Sequence, residues 1–190
     1  MNLTNLEILN KIKEIYRDEE FVNIKWTDLF YLKKGVWVSS NIDDIAKIAE
    51  FLKINENSYI VDLGSGDGRV CFVFSLFGAK IDGIEYNLSF INLSNRIKKH
   101  LASYFDTSKV NFIHKDFLDH NLSKYDILFY FISGSFDERN LKLKLLKEMK
   151  NKAKLIVYGR SIPTIKKKFS EFKEIKIPKS ISYFCRIYYK

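Results

Sequence analysis

The chain has 190 residues, a hydrophobic fraction of 46%, an aromatic fraction of 15% and a formal net charge of +9 at pH 7. These values exclude a disordered chain and fit one domain with a sizeable core; no stretch stays apolar for the ~20 residues of a membrane span, so no membrane partner is expected. Lysines are spread along the chain, with concentrations between 142 and 154 and at 166–168; solvated helix faces account for them, and a nucleic-acid partner stands as the alternative.

In chain order, Leu3, Leu6, Leu9, Ile12, Ile15 and Tyr16 recur at helical spacing and predict an amphipathic helix over 3–17. Residues 17–34 are mixed and aromatic, with Phe21, Trp26, Phe30 and Tyr31, and read as a partly helical lid. Residues 1–34 are thus a helical N-terminal extension or lid, 35–190 a core, and 1–190 a single domain. Ser40, with Asp43 three residues on, predicts a helix start, and Ile42, Ile45, Ile48, Ala49 and Leu52 supply its buried face. Strands are predicted at 58–62, 80–85, 110–114, 125–131 and 153–159, and helices at 67–77, 88–104 and 136–150. A capping-box pattern, Ser135 with Glu138, opens the last helix. Residues 172–177 and 181–189 are two strand-like runs split by Pro178, Lys179 and Ser180, a hairpin signal. The fold class is α/β: a doubly wound, Rossmann-like seven-stranded sheet with a C-terminal antiparallel hairpin and the N-terminal helical extension.

Cys71 and Cys185 stand apart in apolar surroundings and read as reduced core residues. Neither a Cys-x-x-Cys pair nor a His cluster suggests a metal. The first residues lack the basic start and apolar centre of a signal peptide, so a cytoplasmic location is expected.

Residues 59–70 carry the densest information: Tyr-Ile-Val-Asp-Leu-Gly-Ser-Gly-Asp-Gly-Arg-Val. An apolar run ends at Asp62, glycines follow at 64, 66 and 68, a helical pattern begins, and the next apolar run ends in Glu85. This is strand, glycine turn, helix, strand, acid, a βαβ unit that holds a nucleoside, with the acid roughly 20 residues on taking the ribose hydroxyls. Bare glycine backbone lets a ligand lie close. Two acids in the turn, Asp62 and Asp67, would repel a pyrophosphate. A cationic or zwitterionic nucleoside fits, and S-adenosyl-L-methionine is the one expected. The bland alternatives are an ordinary Ser-Gly and Asp-Gly turn and a solvated acid at a strand end.

The pattern resembles the class I S-adenosylmethionine-dependent methyltransferases over most of the chain. The resemblance implies a cofactor-binding set of Trp37, Ser40, Asp62, Gly64, Ser65, Gly66, Asp67, Gly68, Glu85, Tyr86, Asn87, Asp116 and Phe117, with S-adenosyl-L-homocysteine as product. In it the 62–68 loop lies under the methionine part, Glu85 takes the ribose and Asp116 the adenine amino group. The fourth predicted strand, Tyr125-Asp-Ile-Leu-Phe-Tyr130-Phe, lacks the Asn-Pro-Pro-Tyr type motif of many base and glutamine methyltransferases. No Pro-Cys pair follows it. Trp37, Val38 and Ser40 before a helix, the glycine loop, and Gly83-Ile-Glu-Tyr-Asn87 look like the small archaeal and mitochondrial-type protein-lysine methyltransferases. These are similar around the glycine loop to the Dot1 type of histone-lysine enzyme. Ser39 departs from that pattern, which has proline there; Asp126, Tyr130, Ile162 and Pro163 match it, and Arg186 to Tyr188 match weakly.

The resemblance implies methyl transfer to lysine amines of a protein partner with an accessible lysine. A neutral amine attacks in line, in a site that desolvates it and so lowers its pKa. Tyr130 is the candidate catalytic residue, orienting the amine by hydrogen bond or ring face; the alternative is a core aromatic. Trp37 either closes over the site or packs. His114 and His120 read as surface residues, and no general base stands out. Two further readings are an RNA or small-molecule methyltransferase on the same scaffold, and a non-catalytic S-adenosylmethionine-binding protein.

Overall fold

The structure, a computed structural model, describes residues 3–22, 38–132, 138–159, 175–176 and 185–189. Its helices are α1 (Asn5–Arg17), α2 (Glu19–Val22), α3 (Ile42–Leu52), α4 (Arg69–Leu76), α5 (Leu88–Leu101) and α6 (Glu138–Glu148). Its strands are β1 (Tyr59–Leu63), β2 (Lys80–Glu85), β3 (Val110–His114), β4 (Ile127–Ile132), β5 (Lys154–Gly159), β6 (Ile175–Lys176) and β7 (Cys185–Tyr189), with a short 3-10 turn at Phe117–Asp119. The predicted Trp26, Phe30 and Tyr31 lid, Trp37, the Ser135 cap, Ile162 with Pro163, and the Pro178 turn lie outside the described residues.

The sheet order is β3-β2-β1-β4-β5-β7-β6. The first five strands run parallel; β7 lies antiparallel to β5, and β6 antiparallel to β7. This is the expected α/β Rossmann-like architecture with its C-terminal antiparallel hairpin. Parallel strands are covered on both faces, which is why β1 and β5 are almost continuously buried. Alternation along β1 sends Ile60 to a core formed by α1, α3, α4 and α5, and Val61 and Leu63 to a second core under α6. Each fully buried Phe in the first core, such as Phe72, contributes roughly 1.5–3 kcal/mol. Both cysteines are buried and free. Among the described residues no helix is long and apolar enough to cross a membrane.

Helix α1 is held by a capping box: the Thr4 hydroxyl accepts from Glu7 N–H and the Glu7 carboxylate accepts from Thr4 N–H. At the start of α3 the structure corrects the sequence. Asn41, not Ser40, is the N-cap, its side chain accepting from Asp44 N–H at 3.1 Å, while Ser40 is buried beside the glycine loop. Helix α4 begins at Arg69 rather than 67, because Gly68 caps it in the left-handed region (φ 82°). Helix α5 ends at Leu101 and β4 begins at Ile127, each a few residues inside its predicted bounds.

Candidate functional site

The site lies at the carboxyl ends of β1 and β2, where open parallel sheets bind ligands. After Leu63 the chain turns through glycines with φ of 84°, 51° and 82° at 64, 66 and 68. Gly64 and Ser65 N–H donate to the Ile84 carbonyl at 2.9 and 3.0 Å, tying the loop to β2. Gly66 N–H donates to Glu85 Oε2 at 2.9 Å, and the buried Ser94 hydroxyl donates to the Gly66 carbonyl at 3.0 Å. The glycines serve different ends. A Cβ on Gly68 would sit 2.6 Å from the Phe112 ring, so that position is glycine for packing. A Cβ on Gly64 would meet nothing within 4 Å, so there bare backbone faces open space.

Asp62 is 3% exposed, and its Oδ2 faces the Cys71 thiol at 3.7 Å. Burial pushes its carboxyl up to about 8, against which the thiol works, while the nearby Glu85 and Asp67 charges raise it further. Burial likewise raises Glu85, opposed by the backbone N–H groups of Asn87, Gly66 and Tyr86. Neither acid has an ion-pair partner among the described residues. Asp67 differs from the sequence reading, which sets it beside Asp62 as a second uncompensated acid. Arg69 Nε lies 3.0 Å from both its oxygens and Nη2 2.5 Å from Oδ2. The Asp67 charge is therefore balanced within the loop by Arg69, and Asp62 is left as the acid without a cation.

A shallow cleft opens over this floor, lined by Ser40, Asp62, Gly64, Ser65, Asp67 and Arg69 on its polar side and by Val38, Val70, Phe129 and Phe131 on its apolar side. Tyr130 does not line it. Strand alternation turns Tyr130 to the opposite face, where it meets Phe117 with ring centroids 6.0 Å apart. Asn87 caps α5 by accepting from Ser89 N–H, and its own N–H donates to Glu85 Oε1 at 2.8 Å. Tyr86 is half-exposed beside Glu85, and its carbonyl meets His114 Nε2 at 2.9 Å. Asp116 caps the short turn through Leu118 N–H at 2.9 Å, which fixes its carboxylate near the end of β3. The structure thus gathers Ser40, Asp62, Gly64, Ser65 and Asp67 at one cleft, and Glu85, Tyr86 and Asn87 beside it. Sequence reasoning missed Phe129 and Phe131 as walls, Cys71 as the Asp62 partner, and Arg69; the Asp67-x-Arg69 spacing was the visible signal for the last.

The residues present fit S-adenosylmethionine. Ser65 Oγ is buried without a hydrogen-bond partner among the described residues, and Gly64 offers the open floor. Asp62, an acid without a cation, suits the positive methionine end. Glu85 keeps lone pairs beyond its backbone donors for ribose hydroxyls.

A family model described as the ANTKMT methyltransferase domain matches residues 62–169, more than half the chain. A relative described as an uncharacterised RNA methyltransferase of Mycoplasma mobile is 28% identical over 149 residues, covering 75% of this chain and 39% of the relative. Phosphoethanolamine N-methyltransferase of Plasmodium falciparum is 25% identical over 154 residues, 79% of this chain and 53% of that protein. The chain therefore spans about half or less of the length of these curated relatives. A solved RNA methyltransferase of Salinibacter ruber in complex with S-adenosyl-L-homocysteine superposes with a TM-score of 0.63 at 16% identity, over 80% of this chain and 91% of that one.

Proposed function

The chain belongs to the ANTKMT methyltransferase domain family and carries a class I S-adenosylmethionine-dependent methyltransferase domain, and from that premise we propose that it transfers the methyl group to lysine amines of a protein. The observation that carries this reading is the shared cleft. Val38 and Ser40, part of the segment that resembles the protein-lysine enzymes, line the same cleft as Asp62 and the glycine loop.

Bound S-adenosylmethionine supplies an electrophilic methyl on a sulfonium. The 64–68 loop would hold its methionine end with Asp62 as counter-charge, and Glu85 would accept from the ribose hydroxyls. Asp116 would accept from the adenine amino group, and Tyr86, Asn87 and Phe117 are the other residues that would hold the nucleoside. The apolar side of the cleft does the acceptor's work. Val38, Val70, Phe129 and Phe131 strip water from an arriving ammonium, which lowers its pKa and favours the neutral nucleophile. Tyr130, on the other face against Phe117, supports the cofactor side.

RNA is the second reading, favoured by the net charge of +9 and by the relative named as an RNA methyltransferase. The test is incubation with methyl-labelled S-adenosylmethionine and a native cell extract. Protease-sensitive label released as methyl-lysine on hydrolysis is the expected result. Label lost to ribonuclease moves the substrate to RNA. Label in neither, despite cofactor binding, leaves a small-molecule acceptor or a non-catalytic binder.

A further inference from the structure

Three segments far apart in sequence meet at one guanidinium. Arg69 opens α4, and its fork clamps the Asp67 carboxylate. Its Nη1 reaches the Ser40 carbonyl at 3.4 Å, on the rim of the cleft. The same group lies 4.5 Å over the ring centre of Tyr16, in the last turn of α1. Tyr16 in turn donates its hydroxyl to the Asp67 carbonyl at 2.8 Å. The Asp67 carboxylate and carbonyl are therefore both held, one from α4 and the other from α1. Burial and the Asp67 charge keep the Tyr16 phenol protonated, well above its ordinary range, so it remains a donor.

Each of the glycines at 64, 66 and 68 has more backbone conformations to lose than any other residue would. Whatever fixes the loop before the ligand arrives removes that cost from binding. Gly66 is held through Glu85 and Ser94, and Gly64 through Ile84. Asp67, between the last two glycines, is held by the Tyr16 and Arg69 pair.

We infer that Tyr16 and Arg69 are positioning residues that preset the glycine loop, so that helix α1 is a working part of the cofactor site and not only a cover for the core. This rests on the reading that the loop holds S-adenosylmethionine. It also links the cleft rim to the loop: a displacement of the Ser40 carbonyl is felt at Asp67 through one side chain.

The experiment measures S-adenosylhomocysteine affinity by calorimetry on the full chain, with amide exchange at residues 66–68 read in parallel. Tyr16→Phe keeps the ring under the guanidinium and removes only the donor. It is expected to weaken binding roughly threefold to tenfold, as one neutral hydrogen bond allows, and to speed exchange at 66–68. Arg69→Met should weaken it more, and Arg69→Lys, which keeps the cation but not the fork, should fall between. The Tyr16→Phe/Arg69→Lys double variant should lose less than the sum of its parts. Wild-type affinity and exchange in both Tyr16→Phe and Arg69→Lys would overturn the inference. If the unaltered chain itself binds no S-adenosylhomocysteine, the cofactor reading fails first and the inference falls with it.

Discussion

Two buried aspartates sit on neighbouring strands, and their surroundings are opposite. Asp62 on β1 pairs in register with Gly83, and Asp82 on β2 with Val61, so the two carboxylates point to opposite faces of the sheet. Each is 3% exposed. Asp82 Oδ2 accepts from Tyr59 at 2.8 Å, Tyr125 at 2.7 Å and Lys124 Nζ at 2.8 Å. Burial works to raise its pKa, but these donors outweigh burial and hold it below the usual carboxylate range. Asp62 has a thiol at 3.7 Å and stays high, at about 8. A buried acid supplied with donors is a structural member, complete as it stands. A buried acid left without a cation at the carboxyl edge of a parallel sheet is poised for a positive ligand.

Asp82→Ala separates the two aspartates most strongly. It takes the shared acceptor from the buried Tyr125 hydroxyl and the part-buried Tyr59 hydroxyl, while Lys124, half-exposed, turns to water. A loss of about 3 kcal/mol in urea unfolding is expected, with S-adenosylmethionine affinity unchanged once folded. An equally large loss of affinity would make the Asp82 cluster part of the site. Glu85→Ala comes next. It removes the proposed ribose acceptor and releases Gly66 and Asn87 N–H, at roughly 1.5–3 kcal/mol per charge-assisted bond lost. Calorimetry should show affinity falling at least tenfold; an unchanged value would count strongly against the site.

Asp62→Asn tests the other half of the contrast with a smaller and opposite signature. A carboxyl whose pKa rises from 3.8 unfolded to about 8 folded binds its proton more tightly in the fold. Its contribution to stability is full below about pH 4 and is lost as pH rises through about 8. Asparagine carries no such titration, so the variant's stability should be flatter with pH across that window, while its cofactor affinity drops by about 1 kcal/mol. Thermal melts that keep the wild-type pH slope would show that Asp62 is not the group responsible.

How much of this was legible beforehand depends on how far each feature reaches along the chain. The Asp62 strand end, the three glycines and Glu85 could be read because turn chemistry and strand ends are local. The choice between Ser40 and Asn41 as the α3 cap was not legible, since both residues cap well and only the burial of Ser40 at the cleft decides. Phe129, Tyr130 and Phe131 alternate across the sheet, yet all three are aromatic, so no contrast in polarity tells which face holds the cleft. Gly83 entered the sequence reading only as the first residue of the motif running to Asn87. A Cβ there would stand 2.8 Å from Cys71 Sγ and from Ser65, so close helix and loop packing demands it. The Asp82 cluster and the Tyr16 contact to Asp67 join residues that only the assembled sheet and helices bring together.

The smallest effect is the most diagnostic. A cation seated by Asp62 favours the ionised carboxylate, so a protein that binds S-adenosylmethionine from below the pKa of about 8 must give up part of a proton as it binds. Calorimetric binding enthalpies measured near pH 7, in two buffers of different ionisation enthalpy, should therefore differ. Their slope should correspond to a release of between zero and one proton. Near about pH 9, where Asp62 is already ionised, the slope should shrink toward zero, and Asp62→Asn should abolish it throughout. Asp82, ionised with and without ligand, contributes nothing to this exchange. An enthalpy independent of buffer at pH 7 would mean that Asp62 is already charged in the unliganded protein, or that no cation approaches it. In either case the contrast between the two aspartates would no longer mark the site.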